Sequence, residues 1–226
     1  MKHLVVLSGA GMSAESGINT FRDANGLWEG HDVMEVASPQ GFKANPDLVY
    51  DFYNQRRKQL FEVHPNKGHL LLAELENEYK ISIITQNVDD LHERAGSSNI
   101  LHLHGELRKA RSTRNENYII NWDANLTEAD KDPKGFPMRP HIVWFGEAVP
   151  MLDNAVNLIT QADIVLIIGT SLQVYPAASL FEFAPANTPV FYIDPKPAAK
   201  IPSHISVIQK GASEGLQEFK EALKSL

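Results

Sequence analysis

A chain of 226 residues, 43% hydrophobic and 22% charged, can bury one sizeable core and does not have the composition of a disordered segment. No apolar run approaches the roughly 20 residues that a bilayer crossing needs, and no basic-then-apolar leader is visible, so a cytoplasmic protein without membrane partners is expected. The 21 basic and 28 acidic residues leave a net charge of −7, which argues against nucleic acid as a partner, and the lack of cysteine excludes disulfides, thiolate nucleophiles and cysteine-bearing zinc sites.

Taken in chain order, residues 3–8 form a mostly apolar run that ends in Gly9-Ala10-Gly11, where a buried strand is expected to turn sharply into a helix. Residues 20–40, with Gly26, Gly30 and Pro39, show no periodicity and predict a long functional loop. Helix-like stretches follow at 46–60 and 65–79, a strand at 81–85 and a helix at 89–95. Residues 108–139 are polar and charged, relieved by Tyr118-Ile119-Ile120 and Trp122, and read as a small inserted module. Beyond it come a helix at 152–160, a strand at 163–169, a helix at 177–183, strands at 190–194 and 205–208, and a helix at 214–226. Continuous apolar runs alternating with helices predict a doubly wound α/β fold whose parallel sheet is covered on both faces.

Gly9-Ala10-Gly11-Met12-Ser13-Ala14 fits the G-x-G-x-x-G/A pattern after a strand, in which glycine lets the backbone approach a pyrophosphate; a tight turn without a ligand is the alternative. A hydride-transferring dehydrogenase would also carry an acidic residue about 20 positions on, at the end of a second strand. Asp32 and Glu35 sit in the irregular stretch instead, which argues against that reading. Gln86-Asn87-Val88-Asp89 follows the strand at 81–85, where amides and a carboxylate could hold a ribose or a carboxamide, or merely cap the next helix. His102 and His104, two apart, would share one face of a strand; one suits acid/base chemistry, and His102 reads equally as a core histidine. Gly169-Thr170-Ser171 and Asp194 repeat the pattern of small or polar residues at strand ends, so the motifs point to one crevice.

The ordered set is then recognisable. Gly9-Ala10-Gly11-Met12-Ser13-Ala14-Glu15-Ser16-Gly17-Ile18, Thr20-Phe21-Arg22, Gly26-Leu27-Trp28, Gln86-Asn87-Val88-Asp89 with Leu91-His92 and Ala95-Gly96, His104-Gly105-Glu106, Arg139-Pro140-His141-Ile142-Val143-Trp144-Phe145-Gly146-Glu147 and Gly169-Thr170-Ser171 together resemble the sirtuin family of NAD-dependent protein lysine deacylases. The resemblance covers residues 4–212 and, with Ala14-Glu15-Ser16, Tyr53 and Arg56, is strongest toward bacterial proteins of the deacetylase and desuccinylase type. It implies one deacylase domain over residues 1–226, with the module at 108–139 and a second part of the small domain around 20–65. It implies NAD contacts at Gly9, Ala10, Gly11, Ser13, Ala14, Gly17, Thr20, Phe21, Arg22, Trp28, Gln86, Asn87, Val88, Asp89, His104, Gly169, Thr170, Ser171, Asp194, Pro195, Lys196 and Ala212. His104 matches the catalytic base, with Asn87 and Asp89 holding the nicotinamide and its ribose, and Val143, Trp144, Phe145, Gly146 and Glu147 match a strip that pairs with the substrate peptide.

Two departures accompany the resemblance. Asn19 stands where many relatives carry proline, and the module lacks the four cysteines that hold a structural zinc in most sirtuins, so NAD without zinc is the expected cofactor set. Packing of Tyr118, Ile119, Ile120, Trp122 and Phe136 must then support the module. Tyr53 and Arg56 lie three apart in the helix at 46–60, hence on one face, and together could read a terminal carboxylate on the acyl group. The alternative for Arg56 is a solvated basic stretch with Arg57 and Lys58. Acyl-lysine proteins or peptides are the implied partners and a monomer is expected; an NAD hydrolase or an NAD-binding sensor remain as other readings.

Overall fold

The computed structural model describes residues 1–19, 27–28 and 30–226; Thr20, Phe21 and Arg22, expected to contact NAD, lie outside them. In chain order the elements are β1 (His3–Ser8), α1 (Gly11–Ala14), β2 (Leu27–Trp28), β3 (His31–Asp32), α2 (Val33–Val36), α3 (Pro39–Ala44), α4 (Pro46–Glu62), α5 (Lys67–Leu75), β4 (Lys80–Thr85), α6 (Leu91–Ala95), β5 (Ile100–His102), β6 (Gly105–Ser112), β7 (Ile119–Asn121), β8 (Met138–Ile142), α7 (Leu152–Ile159), β9 (Ile164–Ile168), β10 (Val190–Ile193), β11 (Ile205–Ile208) and α8 (Ala212–Leu223), with a 3-10 helix at Ala177–Phe183 before β10. Among the described residues no helix is long and apolar enough to cross a membrane.

Six parallel strands form one sheet in the order β11-β10-β9-β1-β4-β5. Side chains alternate across a strand, so β1 sends Leu4 and Val6 to one face and Val5 and Leu7 to the other. The first face packs against Leu72 and Leu75 of α5 and Leu216 and Phe219 of α8; the second packs against Ala155 and Ile159 of α7 and Leu180 of the 3-10 helix. With both faces covered, β1 and β9 are buried throughout, which is why they read as unbroken apolar runs. The sheet is the doubly wound α/β arrangement expected from that pattern, and β5 adds an edge strand that its three residues did not announce.

The stretch expected to be irregular is only partly so. Within its described part, Leu27–Trp28 pairs antiparallel with His31–Asp32, and two short helices follow. Their starts are fixed by side chains: Asp32 accepts from the amide of Met34, Ser38 from Gly41 and Asn45 from Leu48, with Pro39 and Pro46 in the first helical turns. Long α4 then buries Val49, Phe52, Tyr53 and Leu60 against Leu91, Leu107, Ile142 and Trp144. Arg57 is not part of a solvated stretch: it is buried, its Nε donates to the Leu107 carbonyl at 2.9 Å, and burial lowers its pKa to about 10.

Residues beyond His104 leave the main sheet for a three-stranded antiparallel one, β7-β6-β8. The chain turns at Gly105, φ +82°, where a Cβ would lie 2.0 Å from the His141 carbonyl oxygen, so no side chain fits. Ala110, Leu126, Met138 and Tyr50 form the small core, flanked by Tyr118, Ile120 and Trp122. Ile119 and Phe136, expected to help, are about 40% exposed. A polar clasp does the remaining work: the Ser112 hydroxyl donates to Asp132 Oδ2 at 2.6 Å and accepts from the amides of Arg114 and Asn115, while Asp132 Oδ1 accepts from those of Lys134 and Phe136. Two turns far apart in sequence are thereby tied by one buried hydrogen bond. Ser112→Ala strands buried partners, so it should cost about 1–3 kcal/mol and lower Tm by at least ~2 °C; an unchanged melting curve would remove the clasp from the account.

Candidate active site

The crevice begins where two strand ends are pressed together. Gly9 donates its amide to the Ile168 carbonyl at 3.0 Å and Gly11 to the Gly169 carbonyl at 2.8 Å. A Cβ on Gly9 would meet Gly169 O and Thr170 at 2.8 Å, and one on Gly169 would meet the amide nitrogen of Met12 at 2.2 Å. Glycine is therefore required on both sides, and the bare backbone that results is the kind of surface a pyrophosphate can approach. β1 and β9 are also where the sheet order reverses, the position at which doubly wound folds bind ligands.

The turn after β4 is stitched to this backbone. Asn87 Nδ2 donates to the Gly9 carbonyl and to Ser13 Oγ, both at 3.1 Å; the Ser13 hydroxyl donates to Asp89 Oδ2 at 2.9 Å; Gln86 Nε2 reaches Thr170 Oγ1 at 3.3 Å. The Asn87 amide donates to Thr85 Oγ1 at 3.0 Å. Burial raises the Asp89 pKa, opposed by Ser13, the Leu91 amide and the charge of His102. Gly9, Ser13, Gln86, Asn87, Asp89 and Thr170 are thus linked by hydrogen bonds; Ala10, Gly11 and Ser171 lie on the same two turns, Ala14 ends α1 and Gly17 follows it. Asp194, Pro195 and Lys196 follow β10 and Ala212 opens α8, where the Ser213 amide donates to Glu15 Oε1 at 3.1 Å. All these residues stand at or beyond the carboxyl ends of the parallel strands.

His104 lies just past β5. Its Nδ1 is 3.2 Å from the Gln86 carbonyl oxygen, which can only accept, so Nδ1 carries the proton and Nε2 is left as a lone-pair acceptor. Burial lowers the ring's pKa, partly offset by that hydrogen bond, and this keeps the imidazole neutral.

Beside Asp89, a cavity of about 50 Å³ is lined by Ile18, Trp28, Arg56, Val88 and their neighbours. The Arg56 guanidinium lies 5.0 Å from the Phe52 ring, and its Nε is buried without a hydrogen-bond partner among the described residues. Tyr53 does not line this cavity; fully buried, it accepts from Trp144 Nε1 at 3.0 Å and keeps its own hydroxyl proton for another acceptor. Residues Val143 to Glu147 differ from the expected peptide-pairing strip in one respect: most of their amides are already used. Val143 donates to His104 O, Phe145 to Ala37 O, Glu147 to Trp144 O and Trp144 to the Glu147 carboxylate, so of these five residues only the Gly146 amide donates to none of the described residues. The Glu147 side chain is clamped between Arg139, at 2.6 Å, and Arg111, at 3.1 Å. The contacts of Arg57 with Leu107 and of Glu147 with Arg111 gave no signal in the sequence, because each joins residues more than 30 positions apart.

The residues present do not fit a structural zinc: the chain has no cysteine, and among the described residues no three His, Asp or Glu side chains converge.

Residues 9–176 match the Sir2 family. An "NAD-dependent protein deacylase" of Helicobacter pylori is 59% identical over 224 residues, 99% of this chain and 98% of that one. A crystal structure of a Sir2 homolog–NAD complex superposes with a TM-score of 0.88 at 40% identity, over 99% of this chain and 90% of that one. A mutant Sir2 homologue in complex with 2′-O-acetyl ADP ribose gives 0.89 at 39% identity, over 99% and 92%.

Because the His104 pKa is lowered, the ring should stay neutral as pH falls through 6.5 and protonate only below it. Ring-proton NMR of the free protein should show this titration, and the acid limb of kcat/KM should fall below the same point; a midpoint at or above 6.5 would contradict the burial argument.

Proposed function

The chain belongs to the Sir2 family, and on that premise we propose that it is a cytoplasmic NAD-dependent protein deacylase that removes acyl groups from lysine side chains, yielding nicotinamide and O-acyl-ADP-ribose. The observation that carries this reading is the convergence, at the one sheet-order reversal, of a side-chain-free glycine backbone with a neutral histidine whose Nε2 is left to accept a proton.

NAD supplies an electrophilic anomeric carbon and a departing nicotinamide, and the acyl-lysine amide oxygen is the nucleophile. The chain's own residues align that weak nucleophile and stabilise charge. The paired turns at Gly9 and Gly169 hold the diphosphate, with Ala10, Gly11, Ala14, Gly17, Trp28, Thr170 and Ser171 around them. Asn87, pinned through its Nδ2, presents Oδ1 to the carboxamide, and Asp89 sits at the ribose. His104 Nε2 takes a proton from a ribose hydroxyl, so that the hydroxyl attacks the acyl carbon and the lysine amine leaves. Asp194, Pro195, Lys196 and Ala212 serve the adenosine end, and the strip from Val143 to Glu147 receives the peptide. The module of β6, β7 and β8 needs no zinc in this reading, so chelators leave activity unchanged.

The acyl preference extends to succinyl and malonyl groups. A buried Arg56 nitrogen beside Asp89 that has no hydrogen-bond partner among the described residues is poorly satisfied until an anion arrives, so Arg56 rather than the enclosed Tyr53 carries the acyl reading. Arg56→Met should lower desuccinylation efficiency by about one to two orders of magnitude, the equivalent of one charge-assisted hydrogen bond, and spare deacetylation; equal losses on both substrates would assign Arg56 to the helix alone. His104→Ala should cut deacylation by ~10²- to 10⁴-fold with the fold intact. Peptide mass and nicotinamide followed together check the result, since release of nicotinamide without deacylated peptide would mark an NAD hydrolase instead.

A further inference from the structure

His102 was open to reading as a core histidine, yet its surroundings are not those of one. The side chain is 9% exposed, and both ring nitrogens face oxygens that can only accept: Nδ1 lies 3.0 Å from the Asn87 carbonyl and Nε2 lies 2.7 Å from Glu93 Oε1. Two acceptors require two ring hydrogens, so the geometry makes the ring an imidazolium paired with a carboxylate.

What it holds matters more than its charge. His104, two residues on, donates to the Gln86 carbonyl, and His102 donates to the next carbonyl, that of Asn87. His102 at the end of β5 and His104 just past it thus grip two consecutive peptides of the turn after β4. For Asn87 this completes the set: its amide donates to Thr85 Oγ1, its Nδ2 to Gly9 O and Ser13 Oγ, and its carbonyl accepts from His102. Oδ1 alone takes no hydrogen bond from the described chain.

We infer that His102, held by Glu93, is a positioning residue that locks the Asn87 peptide and so aims Asn87 Oδ1 at the departing nicotinamide. The inference rests on the function proposed above and adds to it a division of labour: His102 serves bond breaking at the anomeric carbon, and His104 serves the later proton removal. Neither role can replace the other, because one acts through a carbonyl of the turn and the other through a free ring nitrogen.

The test uses the full chain with NAD, an acylated peptide and labelled nicotinamide, following label exchange into NAD and deacylated peptide side by side. His102→Ala should lower exchange and deacylation in the same proportion, by about tenfold or more, as expected when a hydrogen bond to a charged group is lost. Glu93→Gln should give a smaller defect with the same proportion. Wild-type exchange in His102→Ala, or a loss confined to deacylation, would overturn the inference. Glu93 is 39% exposed, so Glu93→Gln tests the same hydrogen bond should His102→Ala fail to fold, and a folded Glu93→Gln with wild-type exchange overturns it equally. Absence of peptide-dependent exchange in the wild type would instead overturn the proposed function, and this inference with it.

Discussion

The contact between the turns at Gly9-Ala10-Gly11 and Gly169 sets the position of everything around the crevice. Backbone meets backbone there at distances that leave no room for a Cβ, so β1 and β9 are locked in depth as well as in register. The Gly9 carbonyl then fixes Asn87, Ser13 on the same turn fixes Asp89, and Thr170 on the opposing turn fixes Gln86. Tyr192 of β10 adds a hydrogen bond of 2.7 Å to the Thr170 carbonyl, extending the same frame one strand further. A substitution at any of the three glycines would therefore disturb the polar groups that depend on it before it disturbed the hydrophobic core.

Buried charge joins the parts that hydrophobic packing leaves separate. Arg57 reaches from α4 to the Leu107 carbonyl of β6 and to the loop at Ala124. Glu147 draws Arg111 of β6 and Arg139 of β8 together, and the Arg139 guanidinium stacks 3.3 Å above the Trp144 ring whose N–H holds Tyr53. Ion pairs of this kind contribute little net stability beside an apolar alternative, but each is costly to break. They define one relative placement of α4, the antiparallel sheet and the segment after β8. His69 and His92, stacked edge to face at 4.9 Å beneath the site, show the opposite solution: burial keeps both neutral.

Strands buried on both faces were legible because their residues have no polar choice to make, and the glycine and Gln86–Asp89 motifs because a backbone approach and a strand end restrict residue type so narrowly. β5 escaped notice since Ile100-Leu101-His102 is short, with only two apolar residues before a histidine. The helix α3 was visible in principle: Ser38-Pro39 is a helix start, a cap followed by proline. What no local pattern could reveal is partner choice. Whether Arg57 is solvated or buried, whether His102 is neutral or charged, and whether the amides of Val143 to Glu147 are free all depend on residues brought in from elsewhere by the fold.

The Ser112–Asp132 clasp changes how the small sheet can fail. A module joined through a hydroxyl and a carboxylate offers no thiolate for peroxide to oxidise, so the loss of metal that disables a cysteine site has no counterpart here. Its weakness is acid. The Ser112 hydroxyl, and then the amides of Phe136 and Lys134, hold the Asp132 carboxyl below its usual range, so its contribution is complete above the unfolded carboxyl's pKa and fades as pH falls through the folded one. Oxidative conditions that would silence a zinc-bearing module leave this one closed.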